Sequence, residues 1–303
     1  MNKNASIEFL LLVVAVIWAL NFTVIKYSLN EIDPLSFNGL RFLFATGFIL
    51  VVLFARSEQF RIPKKDWWPL LGMGLLGSLV YQGLFIIGMD FTLAANAAVM
   101  LGTIPIWVAL FSHFFTDERL TLFKTLGVIF AFGGIVFIMT GGEKGISFAS
   151  DTFVGDLLMV SSAVVWAVFT ILSKSFLKRY TPIQYSAVMS SIGCVALFLL
   201  GLPGMLEIDW ATVSWPAYGG VVYSGLLSIG AAYVIWNYGI HFVGTVRTAT
   251  IQNLVPVLGL LFGIVLLNEQ LSLLQYGGSA LVIIGIVLTR WKRKPAIPTA
   301  GGV

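Results

Sequence analysis

Arg41 is the residue with the clearest chemistry in this chain. It stands in an apolar run seven residues after Pro34, which at 1.5 Å per residue lies ~10 Å inside a helix beginning there. A guanidinium that deep in hydrocarbon costs ~2.5–3.5 kcal/mol unless water or a partner reaches it. Two settings would satisfy it: a cargo carboxylate in a wet cavity, or a structural role bonded to neighbouring carbonyls or to Asp90. Other chemistries lack their parts. His113 and His241 have no Cys or Asp at helical spacing, and Cys194 is alone, so neither a nucleophile and base pair nor a protein-built metal site can be assembled. Glu8, Asp90, Glu118, Asp156 and Glu269 fall at the ends of apolar runs, where carboxylates cap helix N-termini or meet water. No acid is therefore expected at depth to trade a proton for a cationic drug, which points to neutral, zwitterionic or anionic cargo.

Uncharged polar and aromatic residues recur at helical spacing. Asn96, Met100, Thr103 and Trp107 follow i, i+4, i+7, i+11 around Pro105, and Ser162, Trp166, Thr170 and Ser173 form a second stripe. Trp18, Asn21 and Ile25 share a face, as do Ser78, Tyr81, Gln82 and Phe85; Thr245, Thr248, Gln252 and Gly259 make a fifth stripe with Asn253 beside it. One such stripe can serve interhelical hydrogen bonds alone, but five together favour a cavity lining, because lipid-facing surfaces avoid them. Trp107 and Trp166 are then aromatic walls, and Asn21, Gln82, Asn96 and Gln252 supply directional hydrogen bonds. Tyr81, Thr103, Thr170 and Asn253 complete the lining. Pro105 and Pro256 each remove a backbone donor in mid-run and mark kinks or hinges.

The elements that must position these residues are membrane helices. The 303 residues are 58% hydrophobic and 11% charged, with mean hydropathy +0.94, whereas soluble domains carry roughly 25% charged residues. Apolar runs cover 7–26, 34–55, 67–89, 93–115 and 121–140, then 153–174, 182–202, 214–237, 243–267 and 271–291. Each is near the ~20 residues that cross ~30 Å of hydrocarbon. The first follows Lys3 but no small-x-small cleavage site follows it, so it reads as a retained helix. The expected fold is an all-α membrane protein of ten transmembrane helices.

The runs repeat. Displaced by 151 residues, Gly88, Phe91, Pro105, Phe111, Glu118, Leu120, Gly127 and Gly134 fall on Gly239, Phe242, Pro256, Phe262, Glu269, Leu271, Gly278 and Gly285, while Asn96 falls on Arg247. Displaced by 148, Ala15, Val16, Trp18, Ala19, Lys26 and Pro34 fall on Ala163, Val164, Trp166, Ala167, Lys174 and Pro182. An odd number of crossings per copy turns the second copy over, so two inverted five-helix repeats are expected. The domains read as 1–140, a connector at 141–152, 153–292, and a disordered cytoplasmic tail at 293–303. With the N-terminus inside, fifteen of the 18 Lys and Arg residues lie in cytoplasmic segments: Lys3, Arg56, Arg61, Lys64, Lys65, Arg119, Lys124, Lys174, Lys178, Arg179, Arg247, Arg290, Lys292, Arg293 and Lys294. Only Lys26 and Lys144 stay outside, and Arg41 is intramembrane. That asymmetry places both termini in the cytoplasm and explains the net charge of +4 without nucleic acid. Arg247 is expected to snorkel, and Glu118 and Glu269 to anchor the starts of the fifth and tenth helices. Small faces at Gly127, Ala131, Gly133 and Gly134, and at Gly277, Gly278, Ser279 and Gly285, suit a scaffold or a homodimer seam through helices five and ten.

Trp18, Ala19, Leu20, Asn21 and Phe22, then Pro34, Arg41, Phe42, Pro105, Glu118 and the Gly127 to Gly134 pattern, all within a duplicated chain, resemble the drug/metabolite transporter superfamily and its EamA-like ten-helix members. Ala19 stands where members commonly have glycine, and Met189 where a second arginine would match Arg41. The resemblance implies a central cavity built from helices one to four and six to nine, with five and ten as scaffold. It implies export of amino acids or related metabolites from the inner membrane, often driven by protons, with membrane lipid as surroundings and no cofactor. An intramembrane enzyme or lipid-group transferase using Arg41 as a phosphate clamp is the alternative; it would need an acid or base within reach, and none is visible.

Overall fold

The computed structural model describes residues 3–56, 62–115, 122–141, 151–242 and 254–289, and every regular element among them is helical. The first half begins with α1 (Lys3–Ser28) and α2 (Pro34–Ala55). Asp33 caps α2 by accepting from the Leu35 and Ser36 amides, and Pro34 takes the first helical position, where a missing N–H costs nothing. Its repeat mate does the same: α9 (Pro182–Glu207) opens on a capping box between Thr181 and Gln184, again with proline next. Unlike the expected run, α9 continues through Pro203 to Glu207.

The third long apolar stretch is α3 (Trp67–Gly74), a wide π-type turn over Leu75–Val80, and α4 (Tyr81–Phe91). Its counterpart is α10 (Trp215–Tyr223), a wide turn over Ser224–Ala231, and α11 (Ala232–Phe242). Next come α5 (Ala94–Leu101) and α6 (Ile104–Phe115), separated at Gly102 and Thr103 just before Pro105, then α7 (Leu122–Thr140) and α8 (Asp151–Phe176). The last described helices are α12 (Leu254–Leu267) and α13 (Leu273–Thr289). Pro256 lies in the first turn of α12. The connector around 142–150, the tail, Glu118, Arg247, Thr245, Thr248, Gln252 and Asn253 lie outside the described residues.

Packing joins the two halves throughout. α7 lies along α13, α2 along α9, α4 along α8, and α12 against both α1 and α5. Small residues set the closest approaches: Gly134 faces the Gly278 carbonyl and Val282, and Gly285 faces the Gly127 carbonyl and Ala131. The small faces expected to serve as scaffold or seam thus meet each other inside the chain. Gly102, at the break just before Pro105, sits against Pro256.

Ties between the halves stand at both ends of α2. At one end the backbone N–H of Ser214 (2.6 Å) and its hydroxyl (2.7 Å) donate to Glu31 and hold that carboxyl below the usual carboxylate range. At the other, Arg179 donates to Asp66 at 2.7 Å and Tyr180 at 2.5 Å. Burial, with the Asp66 carboxylate beside it, pushes the Tyr180 phenol up to about 12.

The outer surface is apolar. Val51, Phe54, Ile129, Val195 and Leu199 are among many exposed large side chains, far beyond the apolar patches a soluble monomer tolerates. Among the described residues, six helices are long and apolar enough to cross a bilayer, at Ser6–Ser28, Pro34–Ala55, Lys64–Phe91, Asp151–Phe176, Pro182–Glu207 and Trp215–Gly239, and four shorter apolar helices accompany them.

Candidate functional site

Arg41 sits about two turns into α2, only 1% exposed. Its Nε donates to Asn38 Oδ1 at 2.7 Å, one turn back on the same helix; Nη2 donates to Gln82 Oε1 at 2.5 Å, and Nη1 to Ser224 Oγ at 3.3 Å. Phe37 and Phe85 lie under the guanidinium carbon at 5.7 and 5.3 Å. All three of these acceptors are neutral. Asp90, the carboxylate considered as its partner, is not among them; instead the Asp90 and Met89 carbonyls accept from Lys26 Nζ at 2.6 and 3.0 Å. Amides, a hydroxyl and ring faces orient the cation without cancelling its charge.

The guanidinium forms part of the wall of a cavity of about 60 Å³. Around it stand Trp18 and Asn21 from α1, Tyr81, Gln82 and Phe85 from α4, Trp166 from α8 and Tyr233 from α11. Tyr81 packs on Trp166 with ring centroids 4.5 Å apart, and Tyr233 meets Trp166 at 5.6 Å and Trp18 at 6.4 Å. Gln82 Nε2 donates to the Tyr233 hydroxyl at 2.8 Å, and Trp18 Nε1 donates to the Ser228 carbonyl at 2.8 Å. The wide turn explains that last bond. A π-type turn disrupts the regular i to i−4 ladder, which lets a carbonyl in mid-helix accept from a neighbour. A second cavity of about 30 Å³ shares Trp166 and Tyr233 with the first and continues past Ser78, Thr170, Ser173 and Ser186. The two rings therefore stand as a partition between an arginine-bearing chamber and a hydroxyl-lined one.

Trp18, Asn21, Arg41, Tyr81, Gln82 and Trp166 are brought together as one lining, and Thr170 lines the adjoining chamber. Asn96, Thr103 and Trp107 line neither. Thr103 caps the break between α5 and α6 by donating to the Met100 carbonyl at 2.6 Å, Trp107 Nε1 donates to the Thr103 hydroxyl at 3.1 Å, and the indole packs edge-on against Phe132 at 5.0 Å. Asn96 is wholly buried on the opposite side of α5, toward α8. Sequence reasoning missed Tyr233, Ser224, Ser228 and Asn38. Tyr233 had a signal: it is Gln82 displaced by 151.

Two carboxylates depart from expectation. Glu269 caps a helix start, but of a different helix: its oxygens accept from the Ala94 and Ala95 amides of α5 at 2.6 and 2.9 Å. The start of α13 is capped by Ser272 and Gln275 instead. Asp156 does not lie at a wetted span end. Because α8 begins at Asp151, it stands more than a turn inside the helix and is 1% exposed.

A chain whose described residues are helical, with an apolar exterior, helices long enough to cross a bilayer and polar chambers within, is a multi-pass membrane protein. Residues 5–140 and 153–291 each match the EamA-like transporter family, and the chain belongs to that family. Among its relatives, an uncharacterized transporter of Archaeoglobus fulgidus is 30% identical over 276 residues, covering 91% of this chain and 95% of the relative. The uncharacterized transporter YoaV of Bacillus subtilis is 27% identical over 277 residues, 91% of this chain and 93% of that protein. A solved crystal structure has the same fold, with a TM-score of 0.64 over 93% of this chain and 96% of that one at 23% identity.

Proposed function

We propose that this chain is a secondary transporter of the bacterial inner membrane that exports amino acids or related small carboxylate-bearing metabolites by alternating access, coupled to the proton gradient. In this reading its ten crossings form two inverted five-helix repeats with both termini in the cytoplasm. One observation carries the proposal: a buried guanidinium whose hydrogen-bond acceptors among the described residues are all neutral forms part of the wall of a chamber that is otherwise aromatic, amide and aliphatic. Such a charge is costly in a membrane interior unless an anion or water joins it, and a cargo carboxylate would supply a bidentate partner. About 60 Å³ admits a few waters, so cargo entry requires Trp166 and Tyr233 to part, as alternating access demands. If copies associate, the seam would run along the outward apolar faces of α7 and α13, since their small faces already meet.

The test is an efflux screen of overexpressing cells for accumulated carboxylate metabolites, followed by counterflow in proteoliposomes with and without a pH gradient. Expected are saturable exchange of a carboxylate-bearing cargo and its loss in Arg41→Gln. Exchange that Arg41→Gln leaves intact would remove the arginine from the site, and flux indifferent to the gradient would remove proton coupling. A terminal tag reached from the periplasm would overturn the orientation.

A further inference from the structure

A second polar cluster lies apart from the cargo chamber, where α8 meets the junction of α4 and α5. Asp156 is 1% exposed. Its Oδ1 accepts from the hydroxyl of Thr92, the residue that ends α4. Its Oδ2 has no hydrogen-bond partner among the described residues, and Asn96, wholly buried, sets its amide beside the same carboxyl. A carboxylate anion with a free oxygen in such a place is strained by desolvation. One added hydrogen resolves the arrangement: a carboxylic acid can donate from Oδ2 to Asn96 Oδ1 while Oδ1 still accepts from Thr92.

We infer that Asp156, Asn96 and Thr92 form a proton-binding site whose occupancy holds α8 against the α4–α5 junction. Gly155, the preceding residue, is packed on the backbone of Phe91 and Thr92, and Gly88 is packed on the Gly155 carbonyl, so the carboxyl cannot be hydrated while this joint stays closed. The protonated acid stabilises the closed joint. Losing the proton to water favours the parted joint, because only there is the anion solvated. Other titratable groups lie on the elements packed against α8 and on their neighbours. Asp90 and Tyr81 lie on α4, Lys26 reaches the end of α4 from α1, Glu269 caps α5, and Asp151 begins α8. No ion pair joins Asp156 to any of them among the described residues. The gating half of this inference rests on the alternating-access reading; the proton-binding half does not.

Two measurements on the full-length protein in lipid nanodiscs separate the halves. Infrared difference spectra between acid and alkaline pH should show a buried carboxylic-acid carbonyl band, lost in Asp156→Asn. In a Cys194→Ala background, Leu93→Cys at the α4–α5 junction is labelled with a membrane-impermeant thiol reagent, normalised to Trp215→Cys at an 87% exposed site. Normalised labelling should rise with pH along a single-proton curve, lie flat and low in Asp156→Asn, and shift downward by about one pH unit in Thr92→Val, which loses a hydrogen bond made only in the closed, protonated joint. If Asp156→Asn does not fold, the Thr92→Val shift and its matching infrared shift still decide. An acid band or labelling curve that survives Asp156→Asn unchanged overturns the proton site. A lost band with pH-independent labelling overturns the gate alone.

Discussion

At the scale of single residues, Arg41 owes its position to a fork geometry that lysine lacks. Replacing it by lysine keeps a charge but loses two of the three bonds to Asn38, Gln82 and Ser224. The half-saturating cargo concentration in counterflow should rise about tenfold, with the fold intact by thermal unfolding in detergent. Glu31 gives a prediction in pH. Its carboxyl is held low by the Ser214 amide and hydroxyl, so the tie contributes above the ordinary carboxylate pKa of ~4.3 and is lost as pH falls through the lowered value. Amide exchange at Ser214, referenced to a distant helix, should accelerate on acidification below that range, and Glu31→Gln should remove the dependence. What was legible at this scale follows from repetition. Trp18 and Trp166 were visible as mates at a displacement of 148, and the bond between Gln82 and Tyr233 joins mates at a displacement of 151. The Ser228 carbonyl was not legible, because a wide turn is fixed by what packs around it and leaves no composition signal.

At the scale of elements, the glycines of α7 and α13 separate packing from propensity. A methyl on Gly134 would lie 2.5 Å from the Gly278 carbonyl oxygen, and one on Gly278 would lie 2.6 Å from that of Gly134, whereas Gly133 and Gly277 have nothing within 4 Å. Gly134→Ala and Gly278→Ala should each lower stability by about 1–3 kcal/mol through overpacking. Gly133→Ala and Gly277→Ala should be neutral or raise it by up to about 1 kcal/mol through helix propensity, read as thermal midpoints in one detergent. Glu269→Ala leaves the Ala94 and Ala95 amides uncapped and should cost about 1–2 kcal/mol, with faster amide exchange confined to the first turn of α5. The helices themselves were readable from their apolar runs. Their neighbours were not: a 3.6-residue period shows that Asn96, Thr103 and Trp107 share a stripe, yet whether that stripe meets water, a helix break or Asp156 depends on a partner far away in sequence. Asp156 was misplaced for a related reason, since the apolar run begins later than the helix that carries it.

At the scale of the whole molecule, the pairings divide the bundle into parts suited to stay and parts suited to move. α7 and α13 meet through small residues over much of their length and contribute nothing to either chamber. The helices that line the chambers carry the breaks: wide turns at Leu75–Val80 and Ser224–Ala231, and the interruption between α5 and α6. Packed interfaces resist continuous deformation, so motion concentrates where the helical ladder is already interrupted. A cross-link should then be harmless or fatal according to where it falls. In a Cys194→Ala background, Ala131→Cys with Gly285→Cys joins α7 to α13, and Phe91→Cys with Gly155→Cys joins the α4–α5 junction to α8; both pairs are in close contact. Oxidation should leave counterflow within about twofold in the first pair and reduce it to background in the second, with recovery on reduction, since a tether matters only across a joint that opens. Equal loss in both pairs would mean that α7 and α13 also slide, and undiminished exchange in the second would mean that cargo passes without the α4–α5 junction leaving α8.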